Sequence, residues 1–110
     1  MPAPTTALSD STALFAALGD PTRMALVIEL GEQGPSTASA LAVGRPITRQ
    51  AIGKQLAVLA TAGIVVGRRT GREQIWAVDP VVLKAAGSRL EAASTAWDSA
   101  LERLRSFVED

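Results

Sequence analysis

From Pro80 to Glu109 the sequence has no helix breaker except Gly87. Asp79 and Pro80 mark where a helix begins, because a carboxylate can accept from unpaired amides and an imide needs no hydrogen bond in the first turn. A helix of ~30 residues is ~45 Å long, more than a chain of 110 residues needs for its own core. Its apolar side chains recur every seven residues. Leu83, Leu90, Trp97 and Leu104 form one row, Gly87, Ser94, Leu101 and Val108 a second, and Ala86, Ala93, Ala100 and Phe107 widen the stripe. A seam of that period asks for another helix, most simply a copy of itself. Residues 80–109 are therefore expected to pair two chains through Leu83, Leu90, Trp97, Leu101, Leu104 and Val108.

The second constraint is where the charge lies. Six of the eleven basic residues, Arg45, Arg49, Lys54, Arg68, Arg69 and Arg72, fall within 45–72, and no Asp or Glu occurs between Glu32 and Glu73. Net charge is zero, so any attraction for an anionic partner is local. A DNA duplex is one such partner: Lys and Arg displace its counterions and supply the sequence-independent part of binding.

Histidine and cysteine are absent. Their absence removes disulfides, thiolate chemistry, the usual general base and the commonest metal ligands. No Gly-rich phosphate loop or nucleophile with its base stands out, so no enzyme, cofactor or metal is expected. Asp98 and Glu102, one turn apart, read as solvated carboxylates. Residues 1–10, MPAPTTALSD, lack the basic start and apolar centre of a signal peptide and read as a loose arm. No run approaches the ~18 to 20 apolar residues of a membrane span, and a soluble cytoplasmic protein with one domain at 11–110 is expected.

In chain order, Leu14, Phe15 and Leu18 have helical spacing behind a cap at Asp10 or Ser11. Asp20 and Pro21 open a helix over 22–32, apolar on most sides and read as the central core helix, which Gly31, Gly34 and Pro35 end. A short helix at 36–42, capped by Ser36 or Thr37, and a tight break at 43–47 lead into a helix over 48–62. Together, 36–62 reads as a helix-turn-helix. At 100° per residue, Ala51, Ile52, Gln55, Leu56, Leu59 and Ala62 share the inner face, and Arg49, Gln50, Gly53, Lys54 and Ala57 the outer one. An outer face that is basic and then small suits a major groove. Gly53 either makes room for DNA or is tolerated drift, and Gln55 on the inner side reads as structural. After a C-cap at Gly63, 64–78 reads as a hairpin with a Thr70 and Gly71 turn and a tip bearing Arg68, Arg69 and Arg72.

These segments resemble the ArsR family of winged helix-turn-helix transcriptional regulators. The likeness rests on LFAALGDPTRMALVIEL (14–30), ITRQAIGKQLAVLATAGIV (47–65) and RRTGREQIWAVDP (68–80). It implies a mainly α fold with a small hairpin, in the order α1-α2-α3-α4-β1-β2-α5. It also implies a homodimer through the first helix, at Leu14 and Phe15, and the last. Double-stranded DNA would be read by Thr48, Arg49, Gln50, Gly53 and Lys54 and gripped by Arg68, Arg69, Thr70 and Arg72 of the wing. The family's usual Ser and His are replaced by Gly53 and Gln55, and Arg45 stands where an apolar residue is common, so operator preference does not carry over. Lacking Cys and His, the chain resembles a metal-independent branch. The expected function is a repressor on a palindromic operator. The alternative is an interaction module that sets its basic face against an acidic protein. No small-molecule effector is identified by the residues.

Overall fold

The computed structural model describes residues 12–109, with side chains through Phe107. The arm at 1–10 and the caps expected at Asp10 and Ser11 lie outside the described residues. Helix α1 covers 12–18 and is followed by α2 (Pro21–Gln33), α3 (Ala38–Ala42), α4 (Arg49–Thr61), β1 (Val65–Thr70), β2 (Glu73–Val78) and α5 (Pro80–Glu109). This is the element order expected from the sequence.

Asp20 starts α2 by accepting from the backbone N–H of Arg23 at 3.0 Å. The helix passes through Gly31, expected as a terminator, and ends where Gly34 takes φ +92°. A helical glycine costs ~1 kcal/mol, and burial of Val27 and Leu30 in the turn that precedes it offsets it. Leu26, Val27 and Leu30 are buried, whereas Met24 and Ile28 are exposed. Helix α2, read as the central core helix and apolar on most sides, therefore contributes one buried face to the core. Thr37, not Ser36, caps α3, accepting from Ala40 N–H at 3.1 Å.

The core gathers Leu26, Leu30, Leu41, Ile52, Leu56, Leu59, Ile64 and Val65, each fully enclosed. Burying a side chain of that size contributes ~1.5–3 kcal/mol. Among the described residues no polar or charged residue is fully buried. Helix α4 ends in a Schellman motif: Ile64 N–H donates to Leu59 O at 3.0 Å and Gly63 N–H to Ala60 O at 2.9 Å, with Gly63 at φ +81°. That reversal sends Ile64 and Val65 straight into the core.

Strands β1 and β2 pair antiparallel from Val65 with Val78 to Thr70 with Glu73. The turn is therefore Gly71 and Arg72, one residue later than expected. Gly71 alone of the two has positive φ, at +63°, the arrangement of a type II′ hairpin turn. Ser36 adds a bridge to the free edge of β2, exchanging hydrogen bonds of 2.9 and 2.8 Å with Trp76. Opposite Trp76, Gly67 has no room for a side chain: a Cβ there would meet the indole at 3.0 and 3.1 Å and collide with the Gln74 amide.

Asp79 caps α5 through Val81 N–H at 3.0 Å. Val82 and Leu83 pack on the core, and Ala86 is the last buried residue of the helix among those described. Beyond it Leu90, Leu101 and Leu104 stand exposed, as do Trp97 at 66% and Phe107 at 81%. The radius of gyration, 17.9 Å, exceeds the ~13 Å of a compact chain this long because α5 projects from the body. Leu14 and Leu83, read as dimer contacts, are half-buried against the chain's own core. Phe15 is half-buried, and the side chain of Val108 lies outside those described.

Replacing Gly67 by Ala is expected to destabilise the protein by ~1–3 kcal/mol, the usual cost of overpacking. Urea denaturation followed through tryptophan fluorescence measures it. An unchanged midpoint would mean that the Trp76 ring does not sit across that position.

Candidate nucleic-acid interface

The outward face of α4 is set by its inward one. With Ile52, Leu56 and Leu59 enclosed, 100° per residue leaves Gln50 and Lys54 pointing away, and Arg49, at the flank of the buried stripe, stands in the first turn of the helix; all three are exposed. Thr48 sits one residue before the helix and caps it, its hydroxyl accepting from Ala51 N–H at 3.1 Å. Gly53 lies half-exposed on this face, and a Cβ built there meets nothing within 4 Å. The fold itself therefore does not demand glycine at that position.

Beside this face the hairpin folds back so that Arg49 and Arg72 line one cleft of ≈ 280 Å³ with Thr37, Ala38, Ser39, Glu73, Gln74 and Trp76. The cleft joins the start of the helix-turn-helix, the head of α4 and the hairpin tip. Two guanidinium groups and the hydroxyl of Ser39 offer donors there, the combination that phosphate oxygens accept. Glu73 is the carboxylate of this surface.

The other cations divide. Register pairs Arg69 with Gln74 and Gly67 with Trp76, so Arg69 shares the face of the hairpin that borders the cleft. Arg68 and Thr70 are on the opposite face, where with Pro35, Val66, Ile75 and Ala77 they line a separate depression. The hairpin's arginines thus point to both sides, and Arg68 and Thr70 stand apart from the cleft. Arg45 is also withdrawn: its guanidinium pairs with Glu29 of α2 at 3.0 Å and donates to Leu41 O. The acid-free stretch of sequence is therefore not acid-free in space at that residue. Ser39 and Gln74 were not singled out by the sequence. Alternation along β2 puts Gln74 beside Trp76, but the position of Ser39 depends on how the hairpin meets α3.

On α5, Glu102 is paired with Arg105 at 3.0 Å, and among the described residues no cluster of three or more metal-ligating side chains occurs. No helix among them is long and apolar enough to cross a membrane.

A helix-turn-helix followed by a basic hairpin that flanks its second helix defines the winged helix-turn-helix class of DNA-binding proteins. No family model matches the chain. It is 37% identical over 93 residues to the HTH-type transcriptional regulator Rv2034 of Mycobacterium tuberculosis, covering 84% of this chain and 83% of that protein. An ArsR-like transcriptional regulator from Rhodococcus sp. RHA1 superposes with a TM-score of 0.74 at 32% identity, over 93% of this chain and 95% of that one. The homodimeric winged helix-turn-helix DNA-binding domain Mb0332 of Mycobacterium bovis shares the fold, with a TM-score of 0.66 and 21% identity over 82% and 83% of the two chains. The chain belongs to the ArsR family of winged helix-turn-helix transcriptional regulators and is a DNA-binding regulator.

Removing the wing's charge by Arg72→Ala is expected to weaken specific and non-specific duplexes alike and to lower the slope of log affinity against log salt by ~0.9, one phosphate's share. Anisotropy titrations at several salt concentrations give that slope. A slope equal to wild type would take Arg72 off the DNA backbone.

Proposed function

We propose that the chain acts as a homodimeric transcriptional repressor that reads a palindromic operator with α4 and grips the adjoining backbone with the hairpin. The observation that carries this reading is the cleft shared by Arg49 and Arg72. It sits beside an α4 face on which Thr48, Gln50, Gly53 and Lys54 are open to a duplex. Arg49, Gln50 and Lys54 supply the long donors and amide that pair with base edges in the major groove. Thr48 and Arg72 suit phosphates, and Arg69 is within reach of the same strand. Arg68 and Thr70, on the far face of the hairpin, serve the DNA only where it curves around the wing.

Pairing through α5 is supported by the apolar side chains that its outer two-thirds leaves in water. The Mycobacterium bovis domain that shares the fold is itself homodimeric. Leu90, Trp97, Leu101 and Leu104 are the contacts this chain offers, and Phe15 of α1 is a further one. A two-fold pair presents α4 twice, and half-sites one duplex turn apart, ~34 Å, match that symmetry. Occupying such a site is sufficient to exclude polymerase, which makes repression the simplest output.

Selecting duplex fragments with the purified protein tests the reading, since a two-fold symmetric consensus is the expected recovery. Against that consensus, Arg49→Ala and Lys54→Ala are each expected to lose ~1–3 kcal/mol. Unaltered affinity in both would remove α4 from the readout. A flat salt response in the wild type would instead favour an acidic protein as the partner of the basic face.

Trp97→Asp is expected to convert the dimer to monomer in sedimentation velocity and to abolish operator binding at protein concentrations that saturate the wild type. A variant that sediments as the wild type does would place the dimer contact elsewhere.

A further inference from the structure

Gln55 is a polar side chain on the buried side of α4, and its amide oxygen accepts from Arg23 Nη1 at 2.9 Å. The same guanidinium donates from Nε to Ala17 O at 2.6 Å, and the backbone of Arg23 is itself held by Asp20. Ala17 lies in the last turn of α1, where carbonyls have no partner within the helix. One cation thus closes the end of α1 and ties it, from α2, to the middle of α4.

An apolar cleft of ≈ 410 Å³, walled by Ala13, Ala16, Val58 and Ala62, separates α1 from the end of α4. The enclosed residues Ile52, Leu56 and Leu59 fix how deeply α4 sits. Their burial fixes which face of α4 points inward, and because apolar contacts are not directional they set its fine roll less sharply than a hydrogen bond does. A hydrogen bond is directional, and a small roll of α4 breaks it.

We infer that Arg23 is a positioning residue for DNA recognition: through Gln55 it sets the roll of α4, and through Ala17 it links that roll to α1. The inference rests on α4 being the reading helix. Its consequence falls on base contacts. Hydrogen bonds to base edges need donors placed to within a few tenths of an ångström, whereas the electrostatic attraction of Arg49, Lys54 and Arg72 for phosphates tolerates a roll.

The experiment measures affinity for the selected operator and for a scrambled duplex of equal length, at one salt concentration, for full-length wild type, Arg23→Met, Gln55→Leu, the double variant and Gln55→Glu. The ratio of the two affinities is the readout. Arg23→Met and Gln55→Leu are each expected to lower the ratio about tenfold, equivalent to ~1.4 kcal/mol. The double variant should lose no more than either single one, since both remove the same tie. Gln55→Glu keeps an acceptor for the guanidinium and should hold the ratio within about threefold of wild type. The added charge weakens both duplexes together and cancels in the ratio.

Equal falls on both duplexes, with the ratio unchanged, would reduce Arg23 to a structural residue and overturn the inference. Additive losses in the double variant would overturn it as well. Should Arg23→Met not fold, Gln55→Leu and Gln55→Glu decide between the same outcomes. A wild type that does not distinguish the duplexes removes the reading helix and this inference together. A distinguishing wild type whose ratio depends on Arg49 but not on Gln55 removes only the inference.

Discussion

Burial of Ile52, Leu56 and Leu59 on one side of α4 is the constraint from which the DNA-facing surface follows. Each contributes a few kcal/mol by leaving water, and none of that depends on DNA. Because the helix repeats every 3.6 residues, enclosing these three forces Gln50 and Lys54 outward, while Arg49 is open because it stands in the first turn. Specificity elements are thus held by energy spent elsewhere in the molecule. The same burial explains why the basic surface can stay fully hydrated in the free protein: no charge has to be desolvated to build it.

The hairpin is aimed by a different device. The reversal at Gly63 drives Ile64 and Val65 into the core, so β1 leaves the body at a fixed point. Trp76 then ties the returning strand twice, once to Gly67 across the hairpin and once to Ser36 ahead of α3. A two-stranded hairpin alone is marginal in water. Anchored by an indole and an edge bridge, this one carries Arg72 to the side of α4 where Arg49 stands. Two cations 23 positions apart in sequence become neighbours of one cleft, although the run of positive charge does not by itself specify which of its members meet.

Legibility in the sequence followed the range of the interactions. Caps and stops at Asp20, Thr37, Thr48, Gly63 and Asp79 act within a few residues, and their chemistry is written locally. The outward placing of Gln50 and Lys54 on α4 follows from period alone, whereas Arg49 is open because it begins the helix. The turn of the hairpin was displaced by one residue because Gly71 serves either candidate turn, and its positive φ at the first position decides for Gly71 and Arg72. A period of two already separates Arg68 from Arg69, yet reading them as one basic tip overrode it. What the sequence does not carry is contact across the chain. Glu29 neutralises Arg45, and Arg23 finds Gln55, over separations that no charge run or hydrophobic repeat encodes. Pairings that depend on tertiary neighbours are accordingly the ones a linear sequence leaves open.

Helix α5 reverses the usual relation between folding and assembly. After Ala86 its apolar side chains have no cover within the chain among the described residues, so the helix gains little from its own body beyond its first two turns. Most of a helix's stability in a protein comes from packing an amphipathic face and not from propensity. In the proposed dimer, pairing therefore supplies most of the burial that keeps the outer helix formed, and protein concentration enters the stability of the fold. The spacing of the two reading helices is then set by the angle at which the paired helices leave their bodies, close to the point where Val82 and Leu83 meet the core. In that dimer a change at the seam reaches the α4 surface without any contact to it, because the element proposed to join the two chains would also fix how their α4 helices face a duplex.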